Sequence, residues 1–204
     1  MAKDLEPVDM LKYEHKYQEL GYSYIAGMDE AGRGPLCGPV TVACCIMPLD
    51  NIIEGINDSK KLTEKKRELL YPQIIEKAIA YKIVDIGWEK IDEINILNAT
   101  KLGMEQALVG LEVKPDFLLV DAVKHPFNVE YEPIIHGDAL SYSIAAASIL
   151  AKVHRDHLME EYDKLYPEYG ISKHKGYGTK MHIEALKTYG PSPIHRKTFI
   201  KNFF

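Results

Sequence analysis

Four acidic residues stand where the chain would bring their carboxylates to strand ends or turns. They are Asp29, Glu30, Asp121 and Asp138. Clustered carboxylates repel one another unless cations neutralise them, and oxygen ligands of this kind suit Mg²⁺ or Mn²⁺. Ions held in this way can activate a water molecule for hydrolysis of a phosphodiester. The residue types therefore indicate metal-dependent hydrolysis, provided that the fold brings the four side chains together.

The first two acids are adjacent in the chain, which limits how both could reach one site. Asp29 and Glu30 follow a β-prone run at residues 22–28. Adjacent side chains of a regular strand point to opposite faces, so both carboxylates reach one site only where the strand breaks. Gly32 and Gly34 follow directly and permit such a break.

The other two acids follow later extended segments. Asp121 comes directly after FLLV at residues 117–120, a short apolar run typical of a buried strand. Open α/β sheets place their chemistry at the carboxyl ends of such strands. Asp138 closes the segment IIHGD at 134–138, which we expect to be another extended piece after Pro133. All four acids could therefore meet at one edge of a sheet.

The elements that must position these acids alternate between strands and helices. Further β-prone runs occupy residues 40–47 and 81–88, and helices are predicted over 9–20, 64–80, 91–110, 141–165 and 180–189. Thr63 caps the second helix, and the alanines of the fourth permit close packing on a sheet. The order predicts an α/β domain with a mixed sheet flanked by helices and a small C-terminal helical portion.

Length and composition indicate an ordinary globular chain. It has 204 residues, of which 46% are hydrophobic and 27% charged, enough for one compact domain with its own core. The N-terminus is polar and no apolar run reaches membrane-spanning length, so we expect a cytoplasmic protein without a membrane association. Cys37, Cys44 and Cys45 lack the paired spacing of a zinc site and are interpreted as small core residues.

The basic residues form three short clusters in a chain whose net charge is −5. That charge argues against a protein that coats nucleic acid through bulk electrostatics. Clustered cations could still hold phosphate beside an acidic site, and the alternative for each cluster is a solvated face. The clusters are Lys60, Lys61, Lys65, Lys66 and Arg67; Lys173, His174 and Lys175; and His195, Arg196 and Lys197.

Five strings of the chain, in consistent order, resemble the motifs of the ribonuclease HII family. They are DEAGRGP at 29–35, NDSKKLT at 57–63, LLVDA at 118–122, GD at 137–138 and HKGYGT at 174–179. The resemblance extends over roughly residues 22–200, and a chance match of that extent is far less expected than a lone motif. Arg33 within the GRG run distinguishes the chain from the related ribonuclease HIII type.

The resemblance implies an RNase H-like fold with a two-metal site. Asp29, Glu30, Asp121 and Asp138 would bind two Mn²⁺ or Mg²⁺ ions about 4 Å apart. It also implies an endonuclease that hydrolyses the RNA strand of RNA/DNA hybrids and cuts 5′ of single ribonucleotides in duplex DNA. The products would carry 5′-phosphate and 3′-hydroxyl ends, so the ribose 2′-hydroxyl is recognised and does not attack.

Recognition of RNA requires a group that senses one 2′-hydroxyl, and glycine lets a backbone approach a sugar closely. In the family, the segment that matches Gly32, Arg33 and Gly34 reads the ribonucleotide. The tyrosine that matches Tyr177 packs against the adjoining deoxyribose. From the residues alone, the two glycines would be ordinary turn residues.

Several polar side chains are candidates for contact with backbone phosphates. The resemblance favours Ser59, Lys60 and Lys61 in the SKK run. Lys152 and Arg155 on the predicted long helix are weaker candidates, for which the alternative is a solvated helix face.

The fourth carboxylate has two candidates. The GD segment follows Asp121 at the family's spacing, which favours Asp138. Asp156 lies inside the predicted long helix, where Arg155 or Lys152 could pair with it instead. We therefore choose Asp138.

Two histidines lie close to the predicted site residues in the sequence. His136 and His174 could assist proton transfer to the leaving group, because histidine titrates near neutral pH. The alternative for both is a hydrogen-bonded structural role.

We accordingly expect an N-terminal helical extension at 1–20, an RNase H-like catalytic domain at 21–166 and a C-terminal helical region at 167–204 that contributes substrate contacts. The protein is expected to be a monomer. Its final residues, KTFIKNFF, faintly resemble a sliding-clamp-binding peptide, although Lys197 stands where that motif has glutamine. Terminal aromatics that dock on their own domain are the alternative.

Two other functions would use a similar fold. One is a catalytically silent module that binds RNA/DNA hybrids, which the intact acids disfavour. The other is a junction resolvase, for which the GRG and KGY strings have no evident use.

Overall fold

The computed structural model of this chain describes residues 8–203, and these residues form a mixed five-stranded sheet flanked by helices. The strands are β1 (Ile25–Ala31), β2 (Val40–Ile46), β3 (Ala80–Ile86), β4 (Phe117–Asp121) and β5 (Glu130–Ile134). Their order across the sheet is β3-β2-β1-β4-β5, with β1, β4 and β5 parallel to one another. The predicted α/β class is confirmed.

The helices lie between and after these strands. They are α1 (Lys12–Glu19), α2 (Glu64–Lys77), α3 (Trp88–Ile94), α4 (Ile96–Val109), α5 (Tyr142–Leu165), α6 (Ile171–His174), α7 (Lys180–Tyr189) and α8 (Lys197–Ile200). Thr63 caps α2 as predicted, since its side chain accepts a hydrogen bond from the Lys66 N–H. No helix within residues 8–203 is both long enough and apolar enough to cross a membrane.

Two predicted elements differ from the structure. The helix expected over 91–110 is two helices, because Asn95 adopts a left-handed φ of 67° and its side chain accepts a hydrogen bond from Asn98 N–H to cap α4. The extended piece expected at 134–138 is also wrong. β5 already ends at Ile134, and the 3₁₀ turn Gly137–Ala139 carries Asp138. Pro133 does not precede the strand but lies within it, and an edge strand tolerates proline.

The described residues form two compact units, each built from several stretches of the chain. Unit 1 contains the residues up to Asp29, together with Cys44–Tyr81 and Leu111–Ile149. Unit 2 contains Glu30–Ala43, Lys82–Gly110 and the residues from Leu150 onward. The organisation into 1–20, 21–166 and 167–204 stays a prediction.

In unit 1, α1 and the first turns of α5 pack on the sheet. Tyr17 of α1 stacks on Phe117 of β4 with ring centroids 3.6 Å apart. α5 approaches β1 so closely that a Cβ at Gly27 would lie 2.0 Å from the Ser143 main chain. A glycine is therefore required at this contact.

Candidate active site

Three of the four predicted carboxylates converge in unit 1. Carboxylate oxygens of Asp29, Asp121 and Asp138 lie within 4.8 Å of one another. Asp29 and Asp138 are buried, whereas Asp121 is only partly covered. An all-oxygen group of this kind suits a hard divalent cation such as Mg²⁺ or Mn²⁺.

Strand register accounts for two of these positions. β1 and β4 are parallel neighbours in which Met28 is opposite Val120. One further step along that register brings Asp29 beside Asp121, both at the carboxyl ends of their strands. The chain thus places chemistry where open α/β sheets usually do.

The third carboxylate is delivered by the turn between β5 and α5. The Gly137 N–H donates to Asp121 Oδ1 at 2.8 Å, and the Ser141 N–H donates to the Gly137 carbonyl at 2.8 Å. A Cβ at Gly137 would lie 2.6 Å from Ile144 Cδ1, so a larger residue here would require that side chain to move. Asp121 therefore holds the turn that carries Asp138.

The electrostatics of the group indicate that it needs cations. Burial raises the pKa of Asp121, and the neighbouring Asp138 charge raises it further, while the hydrogen bond from Gly137 lowers it. The ammonium of Lys60 lies 2.9 Å from Asp138 Oδ2, and its hydrogen bond to that carboxylate raises the Lys60 pKa. One ammonium beside three carboxylates leaves an excess of negative charge, which a bound divalent ion would neutralise.

Glu30 is not among the three residues whose carboxylate oxygens lie within 4.8 Å of one another. β1 continues through Asp29 and Glu30 to Ala31, so the expected break between the two acids is absent and the left-handed turn comes only at Gly32, where φ is 90°. A Glu30 carboxylate oxygen lies 3.4 Å from the Arg33 guanidinium. A role for Glu30 as a metal ligand stays a proposal.

The competing acid has a different partner. Asp156 accepts a hydrogen bond from Lys152 Nζ at 2.6 Å, one helical turn away on α5. This ion pair is one of the alternatives that the sequence left open for Asp156. The structure thus groups Asp138, and not Asp156, with Asp29 and Asp121.

The SKK run is shaped by a residue that sequence reasoning missed. Asp58 is buried, and its carboxylate accepts a hydrogen bond from the Lys60 N–H at 2.9 Å while its carbonyl accepts one from the Lys61 N–H. The Ser59 carbonyl accepts a hydrogen bond from Arg67 Nη1. An aspartate two residues before an N–H is the signature of an Asx turn, which is the signal that could have identified Asp58.

The predicted recognition residues lie together in unit 2. The side chain of Arg33 is half-exposed, and Tyr177 is 47% exposed. A Cβ at Gly34 would lie 3.6 Å from Tyr177 Cε1, so the GRG segment and the tyrosine are neighbours. Their role in reading a sugar stays a proposal.

Two basic residues were predicted either to contact phosphate or to lie on a solvated face, and the structure places them in neither position. Arg155 and Arg196 are almost completely buried, and both donate hydrogen bonds to main-chain carbonyl oxygens. The clusters around His174 and His195 also contain buried histidines, at 8% and 2% exposure. Charge runs in a sequence do not reveal which members the fold buries.

A second group with metal-ligating side chains occurs in unit 2, and the sequence did not indicate it. Cys37, His182 and His195 are buried, with potential ligand atoms within 4.8 Å of one another. His195 Nδ1 accepts a hydrogen bond from the Ser192 N–H, so the ring proton of His195 is on Nε2. His195 Nε2–H then donates to His182 Nε2 at 3.0 Å. His182 Nδ1 in turn donates to the Tyr177 carbonyl at 3.0 Å.

These partners leave His195 Nε2 without a lone pair for a metal. Burial also raises the pKa of the Cys37 thiol to about 12, so it is not the thiolate that metals bind. The two histidines are therefore hydrogen-bonded neutral side chains, and Cys37 is a neutral thiol beside them. All three cysteines are buried free thiols, in agreement with their interpretation as core residues.

His174 is likewise structural. Its Nδ1 accepts from the Gly176 N–H at 3.1 Å and its Nε2 lies 3.0 Å from the Tyr169 carbonyl. Its ring stacks on His182 with centroids 4.4 Å apart. The residue thus adopts the structural alternative.

Comparisons with known proteins agree with this architecture. The family model for ribonuclease HII matches residues 26–202. The chain is 57% identical over 198 residues to a ribonuclease HII of Desulfitobacterium hafniense, covering 96% of this chain and 76% of the relative. It is 53% identical over 203 residues to that of Caldanaerobacter subterraneus, covering 98% of this chain and 84% of the relative.

Solved structures show the same fold. The crystal structure of ribonuclease H2 from Pyrococcus horikoshii OT3 matches with a TM-score of 0.71 and 31% identity, covering 89% of this chain and 97% of that chain. The structure of the PCNA:RNase HII complex from Archaeoglobus fulgidus matches with a TM-score of 0.74 and 26% identity, covering 88% and 96%. The chain therefore belongs to the ribonuclease HII family.

Proposed function

We propose that this protein is an endonuclease that hydrolyses the RNA strand of RNA/DNA hybrids and cuts 5′ of single ribonucleotides in duplex DNA. The observation that carries the proposal is the convergence of Asp29, Asp121 and Asp138 in a chain of the ribonuclease HII family. Mg²⁺ or Mn²⁺ is the expected cofactor, with Glu30 as a fourth ligand. When bound, such ions activate water and stabilise the leaving oxygen of the scissile phosphate.

The chain's own residues bind and orient the substrate. Lys60 is largely exposed beyond its contact with Asp138 and can reach a backbone phosphate, with Ser59 and Lys61 beside it. The segment 32–34 offers main-chain groups to a ribose 2′-hydroxyl. The exposed Tyr177 ring offers a flat apolar surface to the next sugar.

The broader setting is also proposed. We expect a monomer that acts in the cytoplasm. Ile200 is buried and Phe203 packs against the same core cluster of unit 2, while Phe204 lies outside the described residues. These contacts support docking of the C-terminal aromatics on their own unit over presentation to a sliding clamp.

The test uses a labelled DNA duplex with one ribonucleotide, beside an all-DNA duplex and a four-way junction. We expect cleavage immediately 5′ of the ribonucleotide with Mn²⁺ or Mg²⁺, and none of the all-DNA duplex. Asp121→Asn should lower the cleavage rate at least ~100-fold, which is the upper end of the losses in activity found when groups around a bound metal are changed. Asp156→Asn is the matched control and should retain the metal dependence of the wild type.

Each contrary result identifies an alternative. Binding of the hybrid without cleavage under either metal would indicate a silent binding module. Cleavage of the four-way junction with the ribonucleotide duplex left intact would indicate a resolvase.

A further inference from the structure

Two arginine side chains are buried in unit 2 and bind main-chain carbonyls, most of which belong to residues 32–39. Arg196 is 0% exposed and Arg155 is 1% exposed. Arg196 donates to the carbonyls of Gly32, Arg33, Gly38 and Pro39, at 2.7, 3.0, 2.9 and 3.0 Å. Arg155 donates to those of Cys37, Pro39 and Lys175, at 3.2, 3.0 and 2.9 Å.

The contacts of Arg196 determine how two peptide planes of the segment 32–34 are oriented. In a trans peptide the carbonyl of one residue and the N–H of the next point in opposite directions. Because the Gly32 and Arg33 carbonyls point toward the Arg196 guanidinium, the N–H groups of Arg33 and Gly34 point away from it. Arg196 therefore selects the face on which the segment displays its donors.

The contacts of Arg155 join residues 37–39, which follow this segment in the chain, to the loop that carries Tyr177. Its guanidinium spans the carbonyls of Cys37 and Lys175, which lie on the two sides. The Leu36 N–H donates to the Gly176 carbonyl at 2.8 Å and reinforces the connection. These bonds connect the chain just after the GRG segment to the loop that carries the tyrosine.

Gly32 belongs to the same arrangement. A Cβ at Gly32 would lie 2.0 Å from Arg155 Nε, and the residue adopts a φ of 90°. The guanidinium occupies the space that any other side chain would fill. A glycine is therefore required here by Arg155 as well as by backbone conformation.

Both arginines are costly groups to bury in a core. Burial lowers the pKa of both guanidinium groups, and the charge of Arg155 also lowers that of Arg196. Both cations are therefore buried at a cost in desolvation, and Arg196 also at a cost in repulsion. What a guanidinium offers is a planar fork of five donors, which can bind carbonyls of several peptides at once. A lysine ammonium cannot span the same set.

We propose that Arg155 and Arg196 are positioning residues for substrate specificity: Arg196 orients the segment 32–34 toward the ribose 2′-hydroxyl, and Arg155 sets its distance from Tyr177. The inference rests on the proposed function, because it concerns how that site distinguishes sugars. Neither arginine needs to touch substrate for this role.

The experiment measures two ratios of kcat/KM, which do not depend on the fraction of folded enzyme. The first compares a duplex containing one ribonucleotide with the same duplex containing a 2′-fluoro nucleotide. The second compares the single-ribonucleotide duplex with a continuous RNA/DNA hybrid. We expect Arg196→Lys to lower the first ratio at least ~10-fold and Arg155→Lys to lower the second by a similar factor. Losses of this size are typical when a residue that orients the groups of a site is replaced.

Arg67→Lys is the matched control. Arg67 also donates to main-chain carbonyls, those of Ser59 and Leu62, but lies in unit 1. Its substitution can change KM through the SKK turn and should leave both ratios at their wild-type values.

The outcomes are distinguishable from failure of the proposed function. If the wild-type protein cuts neither substrate, the proposed function fails whatever the variants do. If the wild type discriminates and both lysine variants retain its ratios, even with lower melting temperatures, the positioning role is overturned. If Arg196→Lys proves unfolded, Arg155→Lys decides the matter through the second ratio alone.

Discussion

At the scale of single residues, Lys60 has a position that its neighbours in the sequence do not share. Its ammonium contacts Asp138 within the carboxylate group, and the charge of Asp29 also raises its pKa. Its side chain is 77% exposed, so it can leave that contact without unpacking the fold. We therefore expect Lys60 to compete with divalent cations for the site and to become available to phosphate once they bind.

Substitution of Lys60 tests this dual role. Lys60→Met should lower the metal concentration for half-maximal activity about 5-fold. Two unit charges about 4 Å apart interact by about 1 kcal/mol in bulk water and about 4 kcal/mol near a protein surface, so removal of the competing ammonium favours metal binding. The KM for the hybrid should rise about 5-fold because a phosphate contact is lost. Metal titrations and steady-state kinetics measure the two effects.

Lys61→Met is the control, because Lys61 Nζ lies 3.9 Å from Asp58 and is not the cation on Asp138. It should raise KM and leave the metal midpoint unchanged. An unchanged metal midpoint in Lys60→Met would show that Lys60 does not compete with the ions.

At the scale of elements, α1 completes the start of α5. The Glu14 carboxylate is buried and accepts hydrogen bonds from Ser141 Oγ at 2.6 Å and from the Ser143 N–H at 2.8 Å. The Tyr142 N–H donates to the Met10 carbonyl, and the Ile144 N–H donates to Ser141 Oγ. The first donors of α5 are thus satisfied, partly from a helix more than a hundred residues away in sequence.

Removal of the Glu14 carboxylate should destabilise the protein by about 2 kcal/mol, because Glu14→Ala leaves buried donors of α5 unsatisfied. Glu14→Gln keeps an acceptor oxygen and should cost less than half as much. Urea unfolding measures both, with Glu19→Ala on the exposed face of α1 as the control, expected within about 0.5 kcal/mol of wild type. Equal stability of Glu14→Ala and Glu19→Ala would contradict this capping role.

At the scale of the whole molecule, the neutral histidine cluster couples stability to pH. The pKa values of His182 and His195 are lowered from 6.5 to about 4, chiefly by burial, and the neighbouring His174 contributes to both while His182 also lowers that of His195. Between those pKa values the unfolded chain binds protons that the folded protein does not. Stability is therefore complete above pH 6.5 and is lost as the pH falls toward 4.

We expect the two histidines together to lower the free energy of unfolding by about 2–4 kcal/mol between pH 7.5 and 5, because a shift of one pKa unit corresponds to roughly 1.4 kcal/mol. Chemical denaturation across that range measures the slope. His15→Gln, on the exposed face of α1, should leave the slope intact, whereas His195→Gln should flatten it. A wild-type stability that does not change over this range would contradict the neutral cluster.

Much of the architecture could be predicted because its signals are local. Apolar runs of strand length and the motifs around Asp29, Asp121 and Asp138 were sufficient for the α/β class, the family resemblance and three carboxylates that converge. Errors arose where local signals were weak. The left-handed Asn95 divides a segment whose apolar spacing predicts one continuous helix, and Pro133 argues locally against a strand that an edge position tolerates.

The sequence by itself determined the family, the fold class and the acidic residue types at the site. Tertiary structure decided which acids meet, that Arg155 and Arg196 are buried, and that Glu14 belongs to the start of α5. The physical reason is that these outcomes depend on partners far apart in the chain. Arg196 and the Gly32 carbonyl are 164 residues apart, and Glu14 and the Ser143 N–H are 129 apart. Burial and hydrogen bonding between such partners exist only once the chain has folded.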